Sequence, residues 1–167
     1  MTKKIIISVI LSLGAFLLQS TVLQSIALFG AVPDLALGIV IYTACQNGVM
    51  AGQLSGFFSG LILDLMSASP LGFHSLIRTL TGALAGLLNG IFFLDYFLFP
   101  MLLCFGGTLF KGLVIFLLSL VFSGSLPSYS FLTPVFWVEL GMNTLSAPLV
   151  FGLLRLVDRL LAGKRKS

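Results

Sequence analysis

Apolar residues run through this chain in blocks too long and too continuous for the strands or surface helices of a globular protein, and the polar positions fall between the blocks. The first block covers residues 5–28 and is interrupted only by neutral polar groups such as Gln19, Ser20, Thr21 and Gln24. Phe29-Gly30-Ala31-Val32-Pro33-Asp34 ends it, since glycine and proline stop a helix and Pro33-Asp34 suits the first turn of the next. Residues 35–68 stay apolar for longer than one membrane crossing requires, so a break belongs inside them, and Gln46-Asn47-Gly48 up to Gln53 is their most polar part. Two spans near the lower limit of about 17 residues result, joined tightly on the cytoplasmic side. Ser67-Ala68-Ser69-Pro70-Leu71-Gly72 forms a turn on the outer side, and span four follows over residues 75–94. Residues 95–100 form a cytoplasmic link, span five covers 98–122, residues 123–130 make the longest loop, and Thr133-Pro134 leads into span six at 135–157.

Composition explains why the blocks are so long. Hydrophobic residues make up 58% of the chain and charged ones 8%, against about a quarter charged in soluble domains. Mean hydropathy is +1.15, and so few charges cannot cover a water-facing surface; a bilayer is the solvent in which such a surface is stable. The blocks do not alternate as barrel strands do, and polar tracts that would favour disorder are missing. The fold class that follows is all-α integral membrane: a compact bundle of about six transmembrane helices, forming one polytopic domain over residues 1–167 with no separate soluble domain. The net charge of +4 resides mainly at the chain ends, in Lys3 and Lys4 and then Arg155, Arg159, Lys164, Arg165 and Lys166. Basic flanks stay inside, so both termini are expected in the cytoplasm, which agrees with an even number of crossings. The tail cluster can also touch anionic lipid headgroups, although anchoring the topology is its simpler role. The apolar stretch after Lys4 continues to Ala27 without a small-residue cleavage site, which favours an uncleaved first span over a signal peptide.

Candidate chemistry is sparse. Cys45 and Cys104 have no Cys-x-x-Cys spacing and read as small core residues, and His74, the one histidine, falls on the outer turn. No phosphate loop, nucleophile elbow or metal-binding carboxylate motif occurs, so neither catalysis, a cofactor, a metal nor nucleic acid is expected. Trp137, Tyr96 and Tyr129 suit membrane interfaces. Asp64, Arg78, Lys111 and Glu139 fall inside expected spans, where a charge costs about 2.5–3.5 kcal/mol at the helix centre and faces protein or water instead of lipid. Asp64 and Arg78 flank the 70–72 turn at similar depth, which predicts a pair, or a triad with Glu139. Such a cluster either fixes helix register or marks a functional site; Lys111 reaches toward Asp95 or binds Glu139. Gly48, Gly52, Gly56 and Gly60 recur every fourth residue, as do Gly82, Gly86 and Gly90. Each series predicts a helix face of close approach, serving packing within the bundle or a groove for a partner.

The order of these features resembles the MreD family of bacterial rod shape-determining membrane proteins. Leu18-Gln19-Ser20-Thr21, Pro33-Asp34-Leu35, Gly52, Gly56-Phe57, Gly60-Leu61, Asp64-Leu65 and Pro70-Leu71-Gly72 carry the likeness, and residues 56–72 are its most specific block. Gly82-Ala83-Leu84 departs from the aromatic position that follows this glycine in the family. The resemblance implies a non-enzymatic inner-membrane scaffold of the cell-elongation machinery for peptidoglycan synthesis, working with MreC and, more widely, MreB, RodA and a penicillin-binding transpeptidase. The glycine faces and the 64–72 region would then shape a lateral docking face. It also implies a fold similar to the substrate-binding subunits of energy-coupling vitamin transporters, and hence a rival reading as a small-solute subunit, for which Asp34, His74, Arg78 and Tyr129 are the outer pocket candidates.

Overall fold

Six α-helices and one 3-10 turn account for the regular structure in the computed structural model, which describes residues 2–27, 29–67, 69–90, 97–122 and 133–163. The helices are α1 (Thr2–Thr21), α2 (Leu35–Asn47), α3 (Val49–Met66), α4 (Phe73–Leu87), α5 (Leu98–Val121) and α6 (Pro134–Gly163). Asp95, Tyr96, the 123–130 loop with Tyr129, and the Lys164, Arg165 and Lys166 cluster lie outside the described residues.

Two ends differ from the hydropathy reading, each for a local reason. α1 stops at Thr21, short of residue 28, and passes into the 3-10 turn Leu23–Ile26. The Ser20 and Thr21 hydroxyls both donate to the Leu17 carbonyl, at 3.1 and 2.6 Å, and such back-bonding competes with the helical ladder. α4 stops at Leu87, not 94, because the Leu88 and Asn89 amides bond three residues back and Gly90 turns the chain at φ +80°. The Asn89 amide group donates to the Cys45 carbonyl at 2.6 Å, which ties this end to α2. The α2–α3 break falls inside the polar stretch expected to hold it, and it is a single residue. The Gly48 amide donates to the Ala44 carbonyl (2.8 Å) while its own carbonyl accepts from Gly52 (3.0 Å), so one residue at φ +87° ends one helix and begins the next.

Helix lengths are uneven. Among the described residues, four segments are long and apolar enough to cross a bilayer: Lys4–Ser25, Val49–Met66, Leu98–Val121 and Pro134–Arg159. α2 has 13 residues and α4 has 15, or about 20 and 22 Å at 1.5 Å per residue, below the roughly 17 residues expected of each span. For α2, burial accounts for it. Residues 36–45 of α2 are buried without interruption, because α1, α3, α4, α5 and α6 all pack against it. A helix wrapped on every side by protein does not need to match the bilayer.

Consecutive helices alternate in direction. Ser8 meets Thr43 and Gln19 meets Pro33 between α1 and α2; Gly52 meets Gly82 and Gly60 meets Ser75 between α3 and α4. Ile77 packs with Val114 and Ile115 between α4 and α5, and Thr108 and Lys111 pair with Asn143 and Glu139 between α5 and α6. The start of α1 and the end of α6 therefore lie at one end of the bundle, where Lys4 and Asp158 line the same cleft. Tyr42 closes that cleft's floor by donating its hydroxyl to Asp158 at 2.7 Å.

Candidate functional site

The shortness of α2 sets the chemistry of the bundle centre. Pro33 and Gly48 bracket a helix about 20 Å long in a hydrocarbon layer of about 30 Å, so its capping residue sits at the depth of side chains from the middle of its neighbours. That residue is Asp34. Its Oδ1 accepts from the Leu37 amide at 3.0 Å, filling a free donor of the first turn. The same oxygen accepts from Arg78 Nη2 at 2.6 Å, and Oδ2 accepts from Lys111 Nζ at 3.1 Å. Lys111 Nζ continues to Glu139 Oε1 at 2.5 Å.

None of these four side chains is more than 13% exposed. Two cations and two carboxylates sum to zero, and only such internal balance keeps charges ionised where desolvation costs several kcal/mol per ion. Polar groups around the cluster are arranged to match. The Asp34 amide donates to Asn143 Oδ1 at 2.6 Å, Asn143 Nδ2 donates to Thr108 Oγ1 at 3.1 Å, and the Thr108 hydroxyl donates to the Cys104 carbonyl at 2.8 Å. The Arg78 guanidinium lies 4.9 Å from the centre of the Phe16 ring. Gln19 Nε2 donates to the Pro33 carbonyl and holds the approach to Asp34 from α1. The Asp34 carboxylate thus joins α2, α4 and α5 directly, with α6 and α1 tied in through Glu139, Asn143 and Gln19, and one cluster atom, Arg78 Nη1, is buried without a hydrogen-bond partner.

Asp64 is not part of this cluster, which corrects the expected Asp64–Arg78 pair and the triad with Glu139. Among the described residues no ion pair joins Asp64 to Arg78 or Glu139. Asp64 instead accepts from the amides of Gly72 (3.0 Å), His74 (2.8 Å) and Ser75 (3.1 Å) and from the Ser75 hydroxyl (3.1 Å). The N-cap of α4 is Gly72, which has no side chain to satisfy the first amides, and the carboxylate at the end of α3 does so across the Pro70 turn. Four charge-assisted bonds make Asp64→Ala cost about 2–3 kcal/mol, more than an ordinary cap, with Asp64→Asn retaining part of it. Unfolding titrations in detergent would show this, and a double variant with Arg78→Gln should be additive, whereas coupling above about 1 kcal/mol would restore the Asp64–Arg78 pair.

The glycine faces meet each other. A Cβ on Gly52 would strike the Gly82 carbonyl and the reverse, one on Gly56 would strike the Arg78 carbonyl, and those on Gly60 and Gly86 would lie 2.5 Å from the Cα atoms of Ser75 and Val49. Backbone-to-backbone approach of this kind makes α3 and α4 the most extensively packed pair in the bundle. Gly48 and Gly90 are turns at positive φ with nothing near their absent side chains, correcting the four-residue repeats at both ends, although the Gly48 carbonyl carbon still lies against Gly86.

Of the outer pocket candidates, Asp34 and Arg78 are bonded to one another, and the cavity beside Asp34 holds about 10 Å³. That is room for about one water, far below the roughly 300 Å³ of a small-molecule site. His74 sits in the first turn of α4, its Nε2 3.2 Å from the Ser69 hydroxyl and its ring edge-on to Phe73 at 5.0 Å. Trp137 is exposed, as an interfacial residue would be. Cys45 and Cys104 are buried free thiols. No group of three potential metal ligands occurs among the described residues. Hydropathy alone does not reveal Asp34 as the hub, or the roles of Asn143, Phe16 and Ser75; the signal was the spacing between Pro33 and Gly48, too short to carry Asp34 to the membrane surface.

In the comparison with protein families, the model of rod shape-determining protein MreD matches residues 1–157. The matched stretch contains the whole ionic cluster and both glycine faces. No curated protein and no solved structure matches the chain, so the likeness to vitamin-transporter subunits has no support.

Proposed function

The chain belongs to the MreD family of rod shape-determining proteins, and on that premise we propose that it is a non-enzymatic scaffold of the bacterial inner membrane, with both termini cytoplasmic, that binds MreC by lateral helix packing. Through MreC it holds MreB, RodA and the penicillin-binding transpeptidase in one elongation complex and so guides peptidoglycan synthesis. The observation that carries this reading is the self-neutralised cluster of Asp34, Arg78, Lys111 and Glu139. Its cations and carboxylates pair with one another, which makes a fixed centre for a bundle and leaves the outward surface to do the binding. The glycines of α3 and α4 are taken up by each other, so MreC meets outward apolar positions such as Leu54, Phe57 and Phe58 on α3, all of them exposed. In lipid, shape complementarity of such surfaces supplies the association energy.

The test is made in rod-shaped cells depleted of their own MreD. Expression of this chain should restore rod shape, MreC should co-purify with it, and photocrosslinkers at Leu54 or Phe57 should capture MreC. Cells that stay round, together with purified protein free of MreC, would overturn the reading.

A further inference from the structure

α6 carries a surface feature that neither helix packing nor the ionic cluster uses. Leu145, Pro148, Leu149, Gly152 and Leu156 lie along one side of it, and with Phe97 from the start of α5 they line an open groove of about 630 Å³. Arg155 and Arg159 line the same groove at its end nearest the chain termini. Local chemistry explains the hollow. Pro148 interrupts the helical ladder, and Gly152 leaves a gap in which a Cβ would meet nothing within 4 Å.

We propose that this groove is a binding site for one anionic phospholipid, its acyl chain lying along α6 and its phosphate held by Arg155 and Arg159. Length supports this occupant. From Leu145 to Arg155 the helix rises by about 15 Å at 1.5 Å per residue, which equals half of a hydrocarbon core of about 30 Å, the depth of one leaflet. The arginines therefore stand at headgroup level when the apolar stretch stands at chain level. Charge supports it as well: two guanidiniums four residues apart on one helix face form bidentate bonds with phosphate, and basic pockets beside membrane helices at the cytoplasmic side select acidic headgroups. The volume falls within the range of about 300–1,000 Å³ seen for small-molecule sites.

Native mass spectrometry of the purified full chain, with dioleoyl phosphatidylglycerol or dioleoyl phosphatidylethanolamine added in equal amounts, tests the site. The wild type should retain one phosphatidylglycerol at least about tenfold more readily than phosphatidylethanolamine, and inorganic phosphate should not displace it. Gly152→Leu fills the groove without a backbone clash and keeps both charges, and it should lose at least tenfold in retention. Arg155 has a further interaction within the protein, so Arg159→Gln is the charge variant, with an expected loss of about fivefold. Thermal unfolding of both variants in detergent should match the wild type, which separates loss of the site from loss of the fold. Equal retention of the two lipids, full displacement by phosphate, or retention unchanged in Gly152→Leu would overturn the proposal, as would a photocrosslinker at Leu149 that captures a protein instead of lipid in cells. These outcomes do not depend on MreC, so the scaffold reading can fail while this one stands, and the reverse.

Discussion

Gly56→Ala should prevent the bundle from assembling, although a single methyl is added and alanine is the better helix former. Two effects of opposite sign compete. Alanine in a helix interior is favoured over glycine by about 1 kcal/mol. Against this, the new Cβ would run into the Arg78 carbonyl and lie 2.7 Å from its carbon and 3.0 Å from the Thr79 amide nitrogen. All three are backbone atoms, so no side chain can swing aside and α3 must separate from α4. Overpacking costs about 1–3 kcal/mol where side chains relax; here relaxation is blocked and the loss exceeds about 3 kcal/mol. The damage also spreads, because Arg78 sits on the displaced turn and would leave Asp34. Gly141→Ala and Gly14→Ala are the controls, since nothing lies within 4 Å of either absent Cβ, and each should be neutral or stabilising by up to about 1 kcal/mol. Unfolding of purified protein in mixed detergent micelles measures all three. A Gly56→Ala protein as stable as Gly141→Ala would mean that α3 and α4 do not approach this closely.

The same contrast shows what could be read before the structure. Hydropathy located α5 and α6 well, because each is a long apolar run whose ends are marked by punctuation, and glycine spacing pointed to α3 and α4 as helices of close approach. The spacing failed at its ends. Gly48 and Gly90 keep the four-residue rhythm and yet serve as turns, since periodicity records only that a glycine is present, whereas its backbone angle depends on where the hydrogen bonds stop. Depth was the second failure. Asp64 and Arg78 were matched because they fall at similar heights beside one turn, but a carboxylate next to the start of a helix meets unsatisfied amides first, and Asp64 takes those. Arg78 then needs another partner, and Asp34, expected in the first turn of the second span, is carried inward by the 13-residue length of α2. Element length, more than residue type, decides which charges meet.

Asp34→Asn should destabilise the protein by about 3–5 kcal/mol, the range for removing one member of a buried ion pair. The substitution isolates charge from geometry. Asparagine is as good an N-cap as aspartate, so the bond to the Leu37 amide survives, and volume scarcely changes. What disappears is one of the two carboxylates paired with Arg78 and Lys111 among the described residues, which takes from Arg78 its ion-pair partner and leaves Lys111 with Glu139. Glu139→Gln should cost less, because Lys111 keeps Asp34 and Arg78 keeps its 2.6 Å contact. The decisive variant is Asp34→Asn combined with Arg78→Met. It removes the cation that has lost its acid, leaves the Lys111–Glu139 pair in place and fills the space with an apolar chain, so it should recover about 1–3 kcal/mol relative to the sum of the single changes. Unfolding free energies for the four proteins of this cycle give the coupling directly. Neutralising the charge imbalance would then also bring back rod shape in MreD-depleted cells, at least in part, because the helices that α2 holds would regain their register. Simple additivity of the two changes would mean that Asp34 and Arg78 act separately, and the cluster would no longer explain how α4, α5 and α6 are held at the start of the short α2.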